Sequence, residues 1–202
     1  MITFIIPSLS RITLKNTLLS LISLEDEDWK AIVNYDGIEN PNRPIRDDRI
    51  QYFKNEKVRK YGGIIRNEAV KKAETEWVAF VDDDDAVEKN YICAFKEELN
   101  NNPDADCIVF RMLKRKRIIP KMSAKEPKHI VRGDIGISFC VKKNIFEKLK
   151  FNPCSTEDYK LFFDLLNNNY KIILSDHCVY RVRPDKEFLN QLKNRKKLIK
   201  IL

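Results

Sequence analysis

The chain has 202 residues, 43% of them hydrophobic, which suffices for one sizeable core and, by length, one domain. Its five cysteines, Cys93, Cys107, Cys140, Cys154 and Cys178, stand singly without a CxxC pair or a zinc spacing, which argues against a disulfide framework or zinc module and suits a reduced, cytoplasmic protein. The net charge of +8 is unevenly spread: 15 Lys and Arg stand against 21 Asp and Glu up to residue 110, and 23 against 9 beyond it.

Ile2 to Ile6 is an apolar run that reads as a buried strand closed by Pro7. It is too short for a signal segment, and no later stretch approaches the ~18 apolar residues of a membrane span, so a soluble chain is expected. Ser8 or Ser10 is placed to cap a helix whose apolar residues Leu14, Leu18, Leu21 and Ile22 recur at helical spacing. Ala31 to Tyr35 predicts a second strand stopping at Asp36-Gly37, residues 39–48 a loop with two prolines, and Arg49 to Phe53 a third strand. Gly62-Gly63 introduce a helix over about 64–73, and the strand Trp77 to Val81 leads into four aspartates, Asp82 to Asp85.

Carboxylates delivered together by a buried strand repel one another and resist desolvation, so a cation, hydrogen-bond donors or bulk water must compensate them. Oxygen ligands favour a hard ion, Mg2+ or Mn2+, with positions left for phosphate oxygens. A solvated acidic turn or a helix start is the ordinary alternative. The preceding strand favours a site, because ligands of open α/β sheets gather at the carboxyl ends of strands.

Beyond the aspartates, Tyr91, Ile92, Phe95 and Leu99 predict an amphipathic helix, and strands follow at Cys107 to Leu113 and Gly136 to Val141. A short helix carries Ile145, Phe146 and Leu149, and a longer one runs from Thr156 to Asn167. Two last strands, Lys171 to Leu174 and Cys178 to Val182, precede a basic helical tail over 185–202. The segment Arg111 to Arg132 holds nine Lys and Arg against Glu126 alone, a pattern that attracts polyanions or forms a solvated basic loop.

Taken in order, the segments resemble the nucleotide-sugar-binding domain of family 2 glycosyltransferases over about residues 2–183. Ile5-Ile6-Pro7-Ser8-Leu9-Ser10-Arg11 stands at the family's first strand and base-contacting turn, and Asn34-Tyr35-Asp36-Gly37 at its Asp-Asp-Gly, with Tyr35 replacing one acid. Gly63-Ile64-Ile65-Arg66-Asn67 resembles its Gly-x-x-x-Arg-Asn segment, and Phe80-Val81-Asp82-Asp83-Asp84-Asp85 its Phe-Leu-Asp-x-Asp-Asp. The resemblance implies the GT-A fold, an α/β (Rossmann-like) single domain with a mostly parallel central sheet flanked by helices. Residues 1–184 would form it, nucleotide-binding to about residue 110 and acceptor-binding over about 111–184.

It further implies a nucleotide-diphosphate donor, most commonly a UDP-sugar, contacted by Pro7, Ser8, Arg11, Asp36, Arg66, Asn67, Asp82, Asp83 and Asp84. Asp82 and Asp84 would hold Mn2+ or Mg2+, and Asp158, in Thr156-Glu157-Asp158, would be the general base of an inverting enzyme. Thr156 as a helix N-cap with acids in the first turn explains the same letters. His177 is a further candidate metal ligand or a structural histidine, and Tyr180-Arg181-Val182-Arg183 resembles a Tyr-x-x-Arg stretch near the diphosphate. The acceptor would be a glycan, a protein or a lipid-linked hydroxyl, with the basic tail available for peripheral membrane contact.

Two rivals remain. A nucleotidyltransferase shares the metal-diphosphate logic but wants a Gly-rich loop after the first strand, where Ser8-Leu9-Ser10-Arg11 has none. A nucleic-acid-binding module would use Arg111 to Arg132, yet that segment has few aromatics for stacking and the acidic first half repels phosphate, which argues against a nucleic acid partner.

Overall fold

The computed structural model describes residues 1–38, 41–58 and 62–199, with side chains as far as residue 194. Residues 39–40 of the predicted loop and 200–202 of the predicted tail lie outside the described residues. The first strand, β1 (Ile2–Ser8), is mostly apolar because it is buried on both faces; Ile2, Phe4, Ile5 and Ile6 expose nothing. It pairs in parallel with β2 (Trp29–Asp36) and β4 (Trp77–Phe80), and β2 in turn with β3 (Ile50–Asn55). Contrary to the predicted stop at Pro7, β1 runs to Ser8. The β1–β4 pairing ends at Ile5 and Phe80, so the Pro7 nitrogen faces a side where no strand remains to receive a hydrogen bond.

Helix α1 (Leu14–Ile22) buries Leu14, Leu18 and Leu21, a stripe at i, i+4 and i+7, in the main hydrophobic core. Neither Ser8 nor Ser10 caps it; the cap position is Thr13, which makes no side-chain capping bond. Ser8 is used elsewhere, as described below. Helix α2 (Gly62–Lys72) covers β1 and β2, and α3 (Tyr91–Asn101) packs Tyr91 edge-on against Phe4 at 5.1 Å. Burying a side chain of that size contributes about 1.5–3 kcal/mol.

The second half is mixed. Strand β5 (Ala86–Val87) follows the aspartates; β6 (Cys107–Lys114) and β7 (Arg117–Ile119) form a hairpin; then come β8 (Phe139–Lys142), α4 (Glu157–Asn167), β9 (Ile172–Val182) and α5 (Lys186–Ile199). The sheet order is β3-β2-β1-β4-β8-β6-β9-β5, with β7 paired to β6. Pairing among β1, β2, β3 and β4 is parallel, and β8 runs antiparallel to both β4 and β6. The two predicted last strands are one strand, β9, with register shifts opposite Arg111. Ser175-Asp176-His177 broke the apolar pattern because Asp176 faces outward at that irregularity, where its Oδ1 accepts from Arg111 Nη2 at 2.9 Å. Predicted from Gly136, β8 begins only at Phe139, since Gly136 and Ile137 line a cavity instead. No helix among the described residues is long and apolar enough to cross a membrane.

Candidate active site

Strand β4 ends at the sheet's carboxyl edge and hands the chain to a turn in which the Asp85 N–H donates to the Asp82 carbonyl at 3.1 Å. The four aspartates meet different sets of partners. Asp82 Oδ1 takes the Arg66 Nη2 donor. Asp83 is almost fully buried and accepts from the Ser8 hydroxyl at 2.8 Å, the Leu9 N–H at 3.1 Å and Arg11 Nη1 at 3.0 Å. Burial still pushes its pKa above the ordinary carboxylate value, against those donors. Asp84 Oδ2 lies 3.1 Å from Arg183 Nε and 3.6 Å from Arg11 Nη1. Asp85, also buried, accepts from the Tyr180 hydroxyl at 2.7 Å and the Arg183 N–H at 2.9 Å, which pins the end of β9 to the turn. Burial, with Asp82 adding repulsion, raises its pKa to about 7.

Arg66 is the centre of a second constellation. Its guanidinium, 5% exposed, bridges Asp82 through Nη2 and Glu157 through Nη1, and its carbon sits 5.5 Å from the centroid of the Phe151 ring. Burial works against the charge, and the two carboxylates overcome it, holding the Arg66 pKa above its ordinary value. Glu157 Oε2 also accepts from the Gly63 N–H at 2.9 Å, so an acid from α4 caps the first turn of α2. That approach requires glycine: a Cβ on Gly63 would stand 2.7 Å from Glu157 Oε2 and 2.8 Å from Phe151 Cβ. Thr156 is the N-cap of α4 and Glu157 and Asp158 stand in its first turn, as the ordinary reading has it, but the Thr156 side chain makes no capping bond.

Two concavities meet at this point. A cleft of about 790 Å³ is lined by Pro7, Ser8, Arg11, Asp36, Asp83, Asp84 and Arg183, among others. A smaller cavity of about 340 Å³ is lined by Asp158, Ser155, Tyr180, Lys114 and Ile119, among others. Gly62, Arg66, Asp82 and Glu157 belong to both walls. In the smaller cavity Asp158 Oδ1 accepts from the Tyr159 N–H at 2.7 Å, and Oδ2 has no protein hydrogen-bond partner among the described residues. Burial raises the Asp158 pKa above the usual value, with the Tyr159 N–H pulling the other way.

The structure thus gathers eight of the expected donor residues, Pro7, Ser8, Arg11, Asp36, Arg66, Asp82, Asp83 and Asp84, around one cleft and sets Asp158 in the adjoining cavity. Asn67 stands apart: its Nδ2 donates to the Phe151 carbonyl at 2.9 Å and its Oδ1 accepts the Phe151 N–H at 3.0 Å, so its amide is consumed in fixing the segment before α4. Tyr35 is fully buried and donates its hydroxyl to the Asn42 carbonyl, so it packs in the core; burial lifts its pKa to about 12. His177 lies outside the cleft, with Nε2 3.2 Å from Glu97 on α3. Glu157, Lys57 and Lys114 were not singled out as site residues by sequence reasoning. Only Glu157 carried a signal, its place beside Asp158.

The donor set suits a hard cation. Asp82 Oδ2 and Asp84 Oδ1 accept no hydrogen bond among the described residues, and both side chains keep some exposure, 39% and 20%. No group of three or more His, Cys, Asp or Glu side chains among the described residues forms a closed cage. Two carboxylates with open positions are what Mg2+ accepts when substrate phosphates complete its shell.

A sheet with acids at the carboxyl ends of β2 and β4, continued by a mixed half, is the GT-A glycosyltransferase fold. The sequence profile of Glycosyl transferase family 2 matches residues 3–189, and the chain belongs to that family of enzymes. It is 26% identical to an uncharacterized glycosyltransferase of Methanocaldococcus jannaschii over 91% of this chain and 70% of that protein. Its fold is similar to S. aureus TarS 1–349 in complex with UDP, at 19% identity and a TM-score of 0.77, covering 96% of this chain and 63% of that one. It is also similar to a Pyrobaculum calidifontis mannosyltransferase in complex with GDP-Man and Mn2+, at 14% identity and a TM-score of 0.68, covering 96% and 60%.

Proposed function

We propose that this glycosyltransferase moves a sugar from a nucleoside diphosphate donor, with UDP the first candidate, to an acceptor hydroxyl by a single inverting displacement. The observation that carries the reading is the shared wall: the donor cleft and the Asp158 cavity meet at Asp82, Arg66 and Glu157. Ser8, Arg11 and Asp36 line the part of the cleft assigned to the nucleoside, and Arg11 and Arg183 offer cations to the diphosphate. The Arg66 Nε–H is buried and without an acceptor in the protein among the described residues, so the guanidinium keeps one donor unspent at this junction.

Asp82 and Asp84 would hold Mn2+ or Mg2+, which when bound stabilises negative charge developing on the departing diphosphate by several kcal/mol. On the opposite side Asp158 takes the proton of the acceptor hydroxyl as that oxygen bonds the anomeric carbon and the diphosphate leaves with the electron pair. Such help contributes about 10²- to 10⁴-fold. Asp158→Asn should therefore bind donor normally and lose turnover by about that factor; a wild-type rate removes Asp158 from the chemistry. Asp84→Ala should lose Mn2+-dependent donor binding in a thermal-shift panel, and unchanged donor affinity with Mn2+ refutes the metal assignment.

A further inference from the structure

The β6–β7 hairpin carries Lys114, Arg115, Lys116 and Arg117 in succession, all exposed, and Lys114 lines the same cavity as Asp158. Elsewhere in the segment Lys125 pairs with Asp176 and Lys128 with Glu126. Among the described residues, Lys114, Arg115, Lys116 and Arg117 have no carboxylate partner, and neither do Lys121 and Arg132. Lys114 and Arg117 face each other across the hairpin, a like-charge pairing that destabilises an empty ladder. The turn between them places Arg115 at φ 58, where glycine is the normal occupant. Charge has thus been kept at two positions where local chemistry disfavours it, a conflict that marks functional sites.

The chain that follows the patch is tied down. Arg111, fully buried, donates through Nη1 to the carbonyls of Pro120 and Lys121 and through Nη2 to that of Ala124, at 2.7–3.1 Å, and so fastens the chain beyond β7 to the core.

We propose that the acceptor is a phosphate-bearing molecule, a glycan or polyol phosphodiester whose hydroxyl reaches Asp158 while its phosphate is held by Lys114 and Arg117, with Arg115 at the rim. The inference rests on the reading of the Asp158 cavity as the acceptor side. The acids of that cavity repel an anion, and of its lining cations Arg66 is already paired with Asp82 and Glu157, so the phosphate falls to Lys114.

The test is fluorescence-anisotropy binding of a labelled glycerol phosphate hexamer to the full chain, beside a neutral labelled hexasaccharide, an oligothymidylate of equal charge and phosphatidylglycerol vesicles. Preference for the phosphodiester hexamer, about tenfold weaker binding by Lys114→Gln/Arg117→Gln, and a salt slope reduced by between about one and two support the proposal. Arg115→Gly, which relieves the backbone while removing a cation, keeps the measurement interpretable if the double variant misfolds, and should weaken binding in the same direction. Lys148→Gln/Lys150→Gln, whose cations line neither cavity, should bind as wild type. Equal loss in that control overturns the proposal, as does equal affinity for oligothymidylate, or binding to the vesicles alone. Donor binding is followed separately by thermal shift: if wild type binds the hexamer as described but no nucleotide sugar, the glycosyl-transfer reading fails and the phosphate site stands.

Discussion

Replacing Arg66 by methionine keeps the length and apolar stem of the side chain and removes the charge that joins Asp82 to Glu157. The two carboxylates do not suffer equally. Glu157 is 14% exposed and also caps α2, so its loss of a buried partner falls in the range of about 3–5 kcal/mol for broken buried pairs, and we take the lower end because the Gly63 N–H remains. Asp82 is 39% exposed, so water screens it and its share is about 1 kcal/mol or less. The expected destabilisation is about 3–4 kcal/mol, or a fall in Tm of roughly 6–16 °C at about 2–4 °C per kcal/mol for a domain of this size. Urea unfolding of wild type, Arg66→Met, Glu157→Gln and the double variant closes a mutant cycle, and the pair should show a coupling of about 2 kcal/mol because Glu157→Gln relieves the stranded charge. Arg66→Lys should fall between, since one ammonium does not span two carboxylates as a guanidinium fork does. An Arg66→Met protein within 1 kcal/mol of wild type, or a coupling near zero, would refute the bridge as an organising element.

Gly63→Ala should cost about 1–3 kcal/mol and weaken donor binding, because the added Cβ displaces Glu157 or Phe151; calorimetric titration with donor checks the second effect. Arg111→Met leaves the buried Pro120 carbonyl and the part-buried carbonyls of Lys121 and Ala124 without their donor and should destabilise by about 1–3 kcal/mol, with limited proteolysis newly cutting between residues 115 and 126. Asp158 acts deprotonated, and burial raises its pKa, so kcat/KM should fall with decreasing pH along a limb above the ordinary value of about 4; a limb surviving in Asp158→Asn assigns it to another group. The same raised pKa makes the folded state hold a proton that the unfolded chain has released, so Asp158 lowers stability as pH rises from its ordinary to its raised value, and Asp158→Asn should flatten that part of the stability profile.

The order of elements through β4 and the chemical character of the acidic turn were legible in the sequence, because each rests on local signals: apolar runs for strands buried on both faces, 3.6-residue spacing for helices, and charge at a strand's end; the grouping of Ser8, Arg11 and Asp36 with the aspartates was implied only by the resemblance to family 2 glycosyltransferases. The short β5 and β7 strands were not legible, since two or three residues carry no period and their pairing depends on β9 and β6. Nor was the division of labour among four identical aspartates. Sequence supplied four carboxylates in a row; only the packing of β1, α2 and β9 around the turn sent Asp83 to Ser8 and Arg11, Asp85 to Tyr180, and left Asp82 and Asp84 with unspent oxygens in the cleft. Asn67 and Tyr35 were turned inward by the same packing, because a buried amide or hydroxyl takes the nearest backbone partner. The chain by itself determined which chemical groups the site contains, through residue type and local spacing. Which of them face a ligand and which brace the fold was decided by contacts between residues up to 99 positions apart, such as Asp84 with Arg183, which no local pattern encodes.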